Sequence, residues 1–246
     1  MKKRVASWFA LVCCCAPAWS REFSAQAPKH ETVILVHGLC RSTFSLKKLE
    51  WTLKCAGYDV INRSYPSTRL SVREAAENWL SPLVAAQSAT DKGRRMHFVT
   101  HSLGGIVVRQ YLKEHPSANL GRVVMLAPPN RGSELADRFG HHPLARLLGP
   151  TSKELGCGAA SVPNALGPAS FDVGIVAGDR SFDPWFSRFI SGPDDGKVAV
   201  SRTAVEGMKD FLVVHRSHTW MMWSRQVNQA VVRFLEEGRF RNERAD

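Results

Sequence analysis

The chain has 246 residues, 44% of them hydrophobic, which suits one large buried core and excludes an intrinsically disordered protein. Its formal charge is +11, yet the Lys and Arg residues are scattered and no basic cluster is interleaved with aromatics. That pattern argues for a solvated basic surface and against a nucleic-acid partner.

Residues 1–20 read as a secretory signal. Lys2, Lys3 and Arg4 form a positive start, and Val5 to Ala18 form an apolar run too short for a comfortable membrane span. Ala18-Trp19-Ser20 offers small residues for cleavage after Ser20. Two rival readings stand beside it: an uncleaved N-terminal anchor, and a lipoprotein signal using Cys13, Cys14 or Cys15. The expected location is therefore periplasmic or secreted, with anchoring through the N-terminus as the variant. Beyond this segment Cys40, Cys55 and Cys157 remain, an odd number that leaves at least one thiol outside any intrachain disulfide. None has metal-site spacing.

Residues 21–31 are polar and read as a linker; residues 32–246 read as one domain. Thr32 to Val36 is a continuous apolar, β-rich run, as expected of a central parallel strand, and it ends at His37-Gly38-Leu39. His37 is read as structural, beside a glycine turn. Thr43 to Ala56 predicts a helix closed by Gly57, and Tyr58 to Asn62 a strand. Ser71 and Glu74 stand at capping-box spacing before a helical pattern that Pro82 can kink.

Met96 to Val99 predicts a short buried strand, followed by Thr100-His101-Ser102-Leu103-Gly104-Gly105 and an amphipathic helix. This is the layout of a nucleophile elbow, a serine held on a sharp strand-to-helix turn, with Thr100 where G-x-S-x-G has its first glycine. A further strand is expected at 121–127. Residues 134–170 are rich in Gly, Pro, Ala and Leu without strand signals and read as a cap-like insertion, with Leu144, Leu147 and Leu148 as its apolar underside. His141-His142 lacks a carboxylate pattern and is read as polar surface. Strands are expected again at 173–178 and 211–214. Between them Phe182, Trp185, Phe186 and Phe189 recur at helical spacing, as core or as the wall of an acyl site. Met221 onward predicts the closing helix, to about Glu237.

The order Ser, Asp, His suits a triad in which an imidazole deprotonates the serine and a carboxylate fixes the imidazole tautomer. Spacing alone leaves Asp194 or Asp195 open as the acid and His215 or His218 as the base. Alternating strands and helices predict a mostly parallel sheet with helices on both faces.

These stretches resemble the bacterial lipase/esterase branch of the α/β-hydrolase superfamily. The likeness rests on Val36-His37-Gly38-Leu39, Tyr65-Pro66-Ser67-Thr68, Thr100 to Gly105, Ala127 to Ser133, Asp195-Gly196-Lys197-Val198 and Ser217-His218-Thr219. The resemblance implies an α/β-hydrolase fold and a Ser102–Asp195–His218 triad, with Asp179 and Asp172 as reserve acids. Backbone amides of Leu39 and Leu103 are assigned to the oxyanion hole. Substrate-contact candidates are Trp185, Phe186 and Met222. The implied activity is hydrolysis of carboxylic esters or lipids through an acyl-enzyme, without metal or organic cofactor. Peripheral membrane contact is part of the same expectation. The alternatives are an acyltransferase or thioesterase on the same triad, and a non-catalytic binding protein of the same fold.

Overall fold

A computed structural model describes residues 26–240 apart from 118 and 141. The expected signal segment, residues 1–20, and His141 lie outside these residues, as does any detail of the Leu144 side chain. Six strands alternate with the helices. The first half runs β1 (Thr32–Val36), α1 (Lys47–Cys55), β2 (Asp59–Asn62), α2 (Val72–Glu74), α3 (Ser81–Thr90), β3 (Met96–His101), α4 (Leu103–Glu114) and β4 (Leu120–Leu126). Then come α5 (Glu134–Phe139), α6 (Thr151–Glu154), α7 (Val162–Ala165), β5 (Val173–Gly178), α8 (Pro184–Ser187), α9 (Val200–Thr203), β6 (Asp210–Val214) and α10 (Arg225–Glu237). The sheet order is β2-β1-β3-β4-β5-β6, and every described pairing is parallel.

Strand alternation explains the two cores. Val33 and Leu35 point to one face, where α1 and α10 supply Leu49, Leu53, Val227, Val231 and Phe234. Ile34 and Val36 point to the other, against Leu80, Ile106 and Val107. Because both faces are covered, the strands read as unbroken apolar runs rather than alternating ones. Gly174 makes the α10 packing close: a Cβ there would stand 2.5 Å from the Phe234 ring.

Local chemistry sets several element ends. The Ser71 hydroxyl accepts from the Glu74 amide at 3.2 Å, and the Glu74 carboxylate accepts from the Ser71 amide at 2.8 Å, completing the expected capping box. Before Pro82 the regular α-helical pattern is interrupted. The residues before it, Ala75–Leu80, form a π turn between α2 and α3, and Ser81 donates five residues back to Ala76. The predicted helix at 43–56 opens as a 3₁₀ turn, Thr43–Leu46, before α1.

Glu50 on α1 gathers Lys54 at 2.6 Å, Asn62 at 2.8 Å and Lys47 at 3.1 Å. Burial alone would push its carboxyl up, but bonds from Lys54, Asn62 and Lys47 outweigh it and hold the pKa at about 2, against an ordinary 4.5. A depressed carboxylate stabilises the fold above its unfolded pKa, and that contribution fades as pH falls from 4.5 toward 2. Both lysines are about half exposed, so solvent screening leaves roughly 1 kcal/mol. Glu50→Gln should therefore lower Tm by about 2–4 °C at pH 7. Melts by circular dichroism should show that gap closing as pH falls below 4.5.

Candidate active site

The sheet order reverses between β1 and β3: from β1 the chain adds β2 on one side, then β3 on the other. Loops leaving neighbouring strands toward opposite faces open a crevice at their carboxyl ends. The loop after β1 and the turn after β3 meet there.

Ser102 follows β3 directly, with φ 54° and ψ −124°, a backbone conformation that L residues rarely adopt. Its amide donates to Leu126 O at 2.8 Å, which anchors the turn to β4. Gly104 is required by close approach, since a Cβ there would meet Val36 O at 2.3 Å and His37 O at 2.9 Å. At Gly105 a Cβ would stand 3.3 Å from Thr100 Oγ1 and 3.1 Å from Pro128 Cβ. The missing side chain at 105 thus makes room for the threonine that replaces the pattern's first glycine. Leu103 is buried and is the first residue of α4, so its amide has no acceptor within the helix.

The loop after β1 is braced from behind. His37 Nε2 accepts from the Tyr65 amide at 3.2 Å, the Tyr65 hydroxyl donates to His37 O at 3.0 Å, and the rings stack at 4.5 Å. With Nε2 accepting, Nδ1 carries the proton and donates to Gly38 O at 2.9 Å. Burial lowers the His37 pKa, which keeps this neutral form. Ser67 accepts from the Cys40 amide at 3.1 Å, holding Cys40 at φ 55°. Gly38 passes over the elbow so closely that a Cβ would stand 3.0 Å from Ser102 Cβ. Leu39 follows, half-buried.

Asp195 and His218 come from the loops after β5 and β6. Asp195 Oδ1 accepts from the amides of Lys197 and Val198 at 3.0 and 2.9 Å, and Oδ2 meets His218 Nδ1 at 2.7 Å. The His218 amide donates to Asp195 O at 2.9 Å, which binds the two loops by backbone as well. The Asp195 side chain is fully buried, so its charge is answered by amides and the imidazole rather than by water. Gly178 lets it in, as a Cβ there would sit 2.9 Å from Asp195 Cβ.

The other candidates are engaged elsewhere. Asp194 Oδ1 accepts from Ser187 Oγ and the Gly196 amide, both at 2.7 Å. Asp179 pairs with exposed His215 at 2.9 Å, and Asp172 with Lys209 at 2.8 Å. Trp185 is exposed, Phe186 is half-buried beneath Lys197 and beside Phe139, and Met222 lies within the core with Met221. Only Pro184–Ser187 of the aromatic stripe is helical. A depression of about 570 Å³ is lined by Phe182, Arg216, Trp220 and Trp223, and none of Ser102, Asp195 or His218 lines it.

Two buried residues escaped the sequence reading. His101 donates from Nε2 to His218 O at 3.0 Å, with the two rings 4.7 Å apart. Burial, then the nearness of His218, holds its pKa well below the ordinary range, so it adds no second cation there. Arg109 on α4 reaches Asn130 O and Oδ1 at 3.2 Å and Gly167 O at 2.5 Å. Neither has a local signal, because the partners lie 21 to 117 residues away.

A parallel sheet covered on both faces, with a strained serine at the switch point, is the α/β-hydrolase fold. No family model matches the sequence, and no curated protein matches it either. Solved structures carry the comparison. A Bacillus licheniformis lipase in mature form is 18% identical with a TM-score of 0.65, over 87% of this chain and 95% of that one. A Paleococcus ferrophilus monoacylglycerol lipase is 19% identical with a TM-score of 0.55, over 88% and 97%. A Legionella pneumophila phospholipase solved with thio-NAD is 21% identical with a TM-score of 0.60, over 71% of this chain but 44% of that one.

Proposed function

We propose that the protein hydrolyses carboxylic esters, with lipids among its substrates, through an acyl-enzyme on Ser102. The observation that carries this reading is the buried Asp195–His218 pair, whose His218 carbonyl is held by His101 next to the strained Ser102. With Nδ1–H held by Asp195, His218 presents Nε2 as the base. Ser102 Oγ loses its proton to that nitrogen and attacks the acyl carbonyl, while the Leu39 and Leu103 amides hold the oxyanion. His218 then gives the proton to the leaving alcohol. Water deprotonated by His218 releases the acid and restores Ser102.

The lipase neighbours and the exposed aromatics Phe182, Trp185 and Trp220 support an acyl or lipid substrate met at or near a membrane surface. Export by residues 1–20 belongs to the same proposal. No helix among the described residues is long and apolar enough to cross a membrane. A fluorophosphonate probe tests the central claim: the folded wild type should be labelled stoichiometrically and Ser102→Ala should not. Labelling that persists in Ser102→Ala, or none in the folded wild type, would refute it.

A further inference from the structure

One cation stands across the mouth of this site. Arg41 leaves the loop after β1 two residues beyond Leu39, and its Nη2 donates to Thr219 Oγ1 at 3.1 Å. Thr219 follows His218 directly, so the exposed guanidinium spans from the proposed oxyanion loop to the loop carrying the proposed base. Among the described residues no carboxylate lies within salt-bridge distance of it. Lys197, two residues beyond Asp195, sits half-buried over the Phe186 ring at 3.6 Å and is answered by Asp183 at 3.6 Å. Burial is the first cause that pushes the Lys197 ammonium down, and the charge of Arg41 adds to it, so the two cations share one field. Arg41 therefore has most of its N–H fork and its whole charge left for something outside the protein.

The position says which part of a substrate it meets. In the proposed reaction His218 hands its proton to the leaving alcohol, so that half of the ester departs beside His218 and Thr219. We infer that Arg41, backed by Lys197, binds an anionic group on the alcohol side of the ester, a phosphate monoester or phosphodiester a few bonds from the scissile oxygen. The substrate class is then an acylated glycerol phosphate rather than a neutral glyceride. A guanidinium suits this better than an ammonium, because its fork matches two phosphate oxygens at once.

This inference rests on the ester-hydrolase reading, and one experiment separates the two. Steady-state rates are measured on 1-octanoylglycerol and 1-octanoylglycerol 3-phosphate, both kept as monomers, with p-nitrophenyl butyrate as a third substrate. The wild type should favour the phosphate by about tenfold in kcat/KM at low salt, mainly through KM, and the preference should shrink as salt screens the pair. Arg41→Gln should bring the ratio near one, Arg41→Glu should invert it, and Arg41→Lys should retain part of it. Thr219→Val removes the hydrogen bond but leaves the charge, and should keep the preference.

Three results would overturn the inference. The first is equal kcat/KM for the two glycerol esters in the wild type. The second is an equal loss on both in Arg41→Gln, which makes Arg41 a brace for the loop. The third is a preference seen only on phosphatidylglycerol vesicles and absent with monomers, which assigns it to the basic surface at large. If none of the three esters is cleaved by folded protein, the hydrolase reading itself fails and takes this inference with it.

Discussion

Ser102→Ala is expected to lower kcat on p-nitrophenyl butyrate by about 10⁴-fold or more while the melting curve stays close to wild type. The serine oxygen is the proposed nucleophile, and nothing else at the turn can take its place. His218→Ala should cost a similar factor, because an unassisted hydroxyl is a weak nucleophile. Asp195→Asn should also fall by orders of magnitude. An amide at position 195 can still meet Nδ1, but it offers its NH₂ or a neutral oxygen where a carboxylate held the tautomer. The double variant Ser102→Ala/His218→Ala should be little worse than either single one, as expected of groups that act as a unit. His215→Ala is the control: exposed and paired with Asp179, it should keep near-normal turnover. Initial rates with folded protein settle the matter, and near-normal activity in His218→Ala would remove His218 from the role of base.

Gly104→Ala should be strongly damaging to both stability and activity. The added Cβ would lie 2.3 Å from Val36 O and 2.9 Å from His37 O, and both oxygens belong to backbone that cannot swing aside. Relief requires α4 to move off the end of β1, which displaces the Ser102 turn with it. Overpacking of this kind costs about 3 kcal/mol or more, or roughly 6–12 °C in Tm for a domain of this size. A nucleophile misplaced by about 1 Å loses on the order of 10²-fold in rate, so activity should fall at temperatures where the fold survives. Gly158→Ala meets nothing within 4 Å and should stay within about 0.5 kcal/mol of wild type. Thermal melts and rates on the two variants check the contrast.

The parts that were legible in the sequence are those fixed by local pattern. Thr32–Val36 and Val173–Gly178 appear at their expected bounds, since strands buried on both faces leave no ambiguity of period. The Ser71–Glu74 box is a contact between near neighbours, and the strand–Ser102–helix layout is a local pattern too, although Val36, His37 and Leu126 hold the turn from a distance. What was not legible depends on distant partners. Asp194 and Asp195 are adjacent and chemically alike; only the fold turns one toward His218 and the other toward Ser187. The aromatic stripe from Phe182 to Phe189 has a helical period, but only one helical turn forms, and Phe186 and Phe189 pack against Phe139 from another segment. Met222 looked like a site residue because it follows His218 closely, yet the 3₁₀ turn Met221–Trp223 directs it into the core.

The segment between β4 and β5 is fastened at several points to the rest of the domain. Arg109 grips Gly167, Glu154 accepts from the Val72 amide at 2.8 Å, and Arg202 holds Glu134 at 2.9 Å. Inside the segment Asp137 takes the Cys157 amide at 3.0 Å. Joined in this way, it is a lintel rather than a door. Unlatching it would break charged contacts at three points together, which weighs against a second position. For Ser102 as the proposed nucleophile, the expected consequence is entry without an opening step, so that none of a substrate's binding energy is diverted to prising the segment aside.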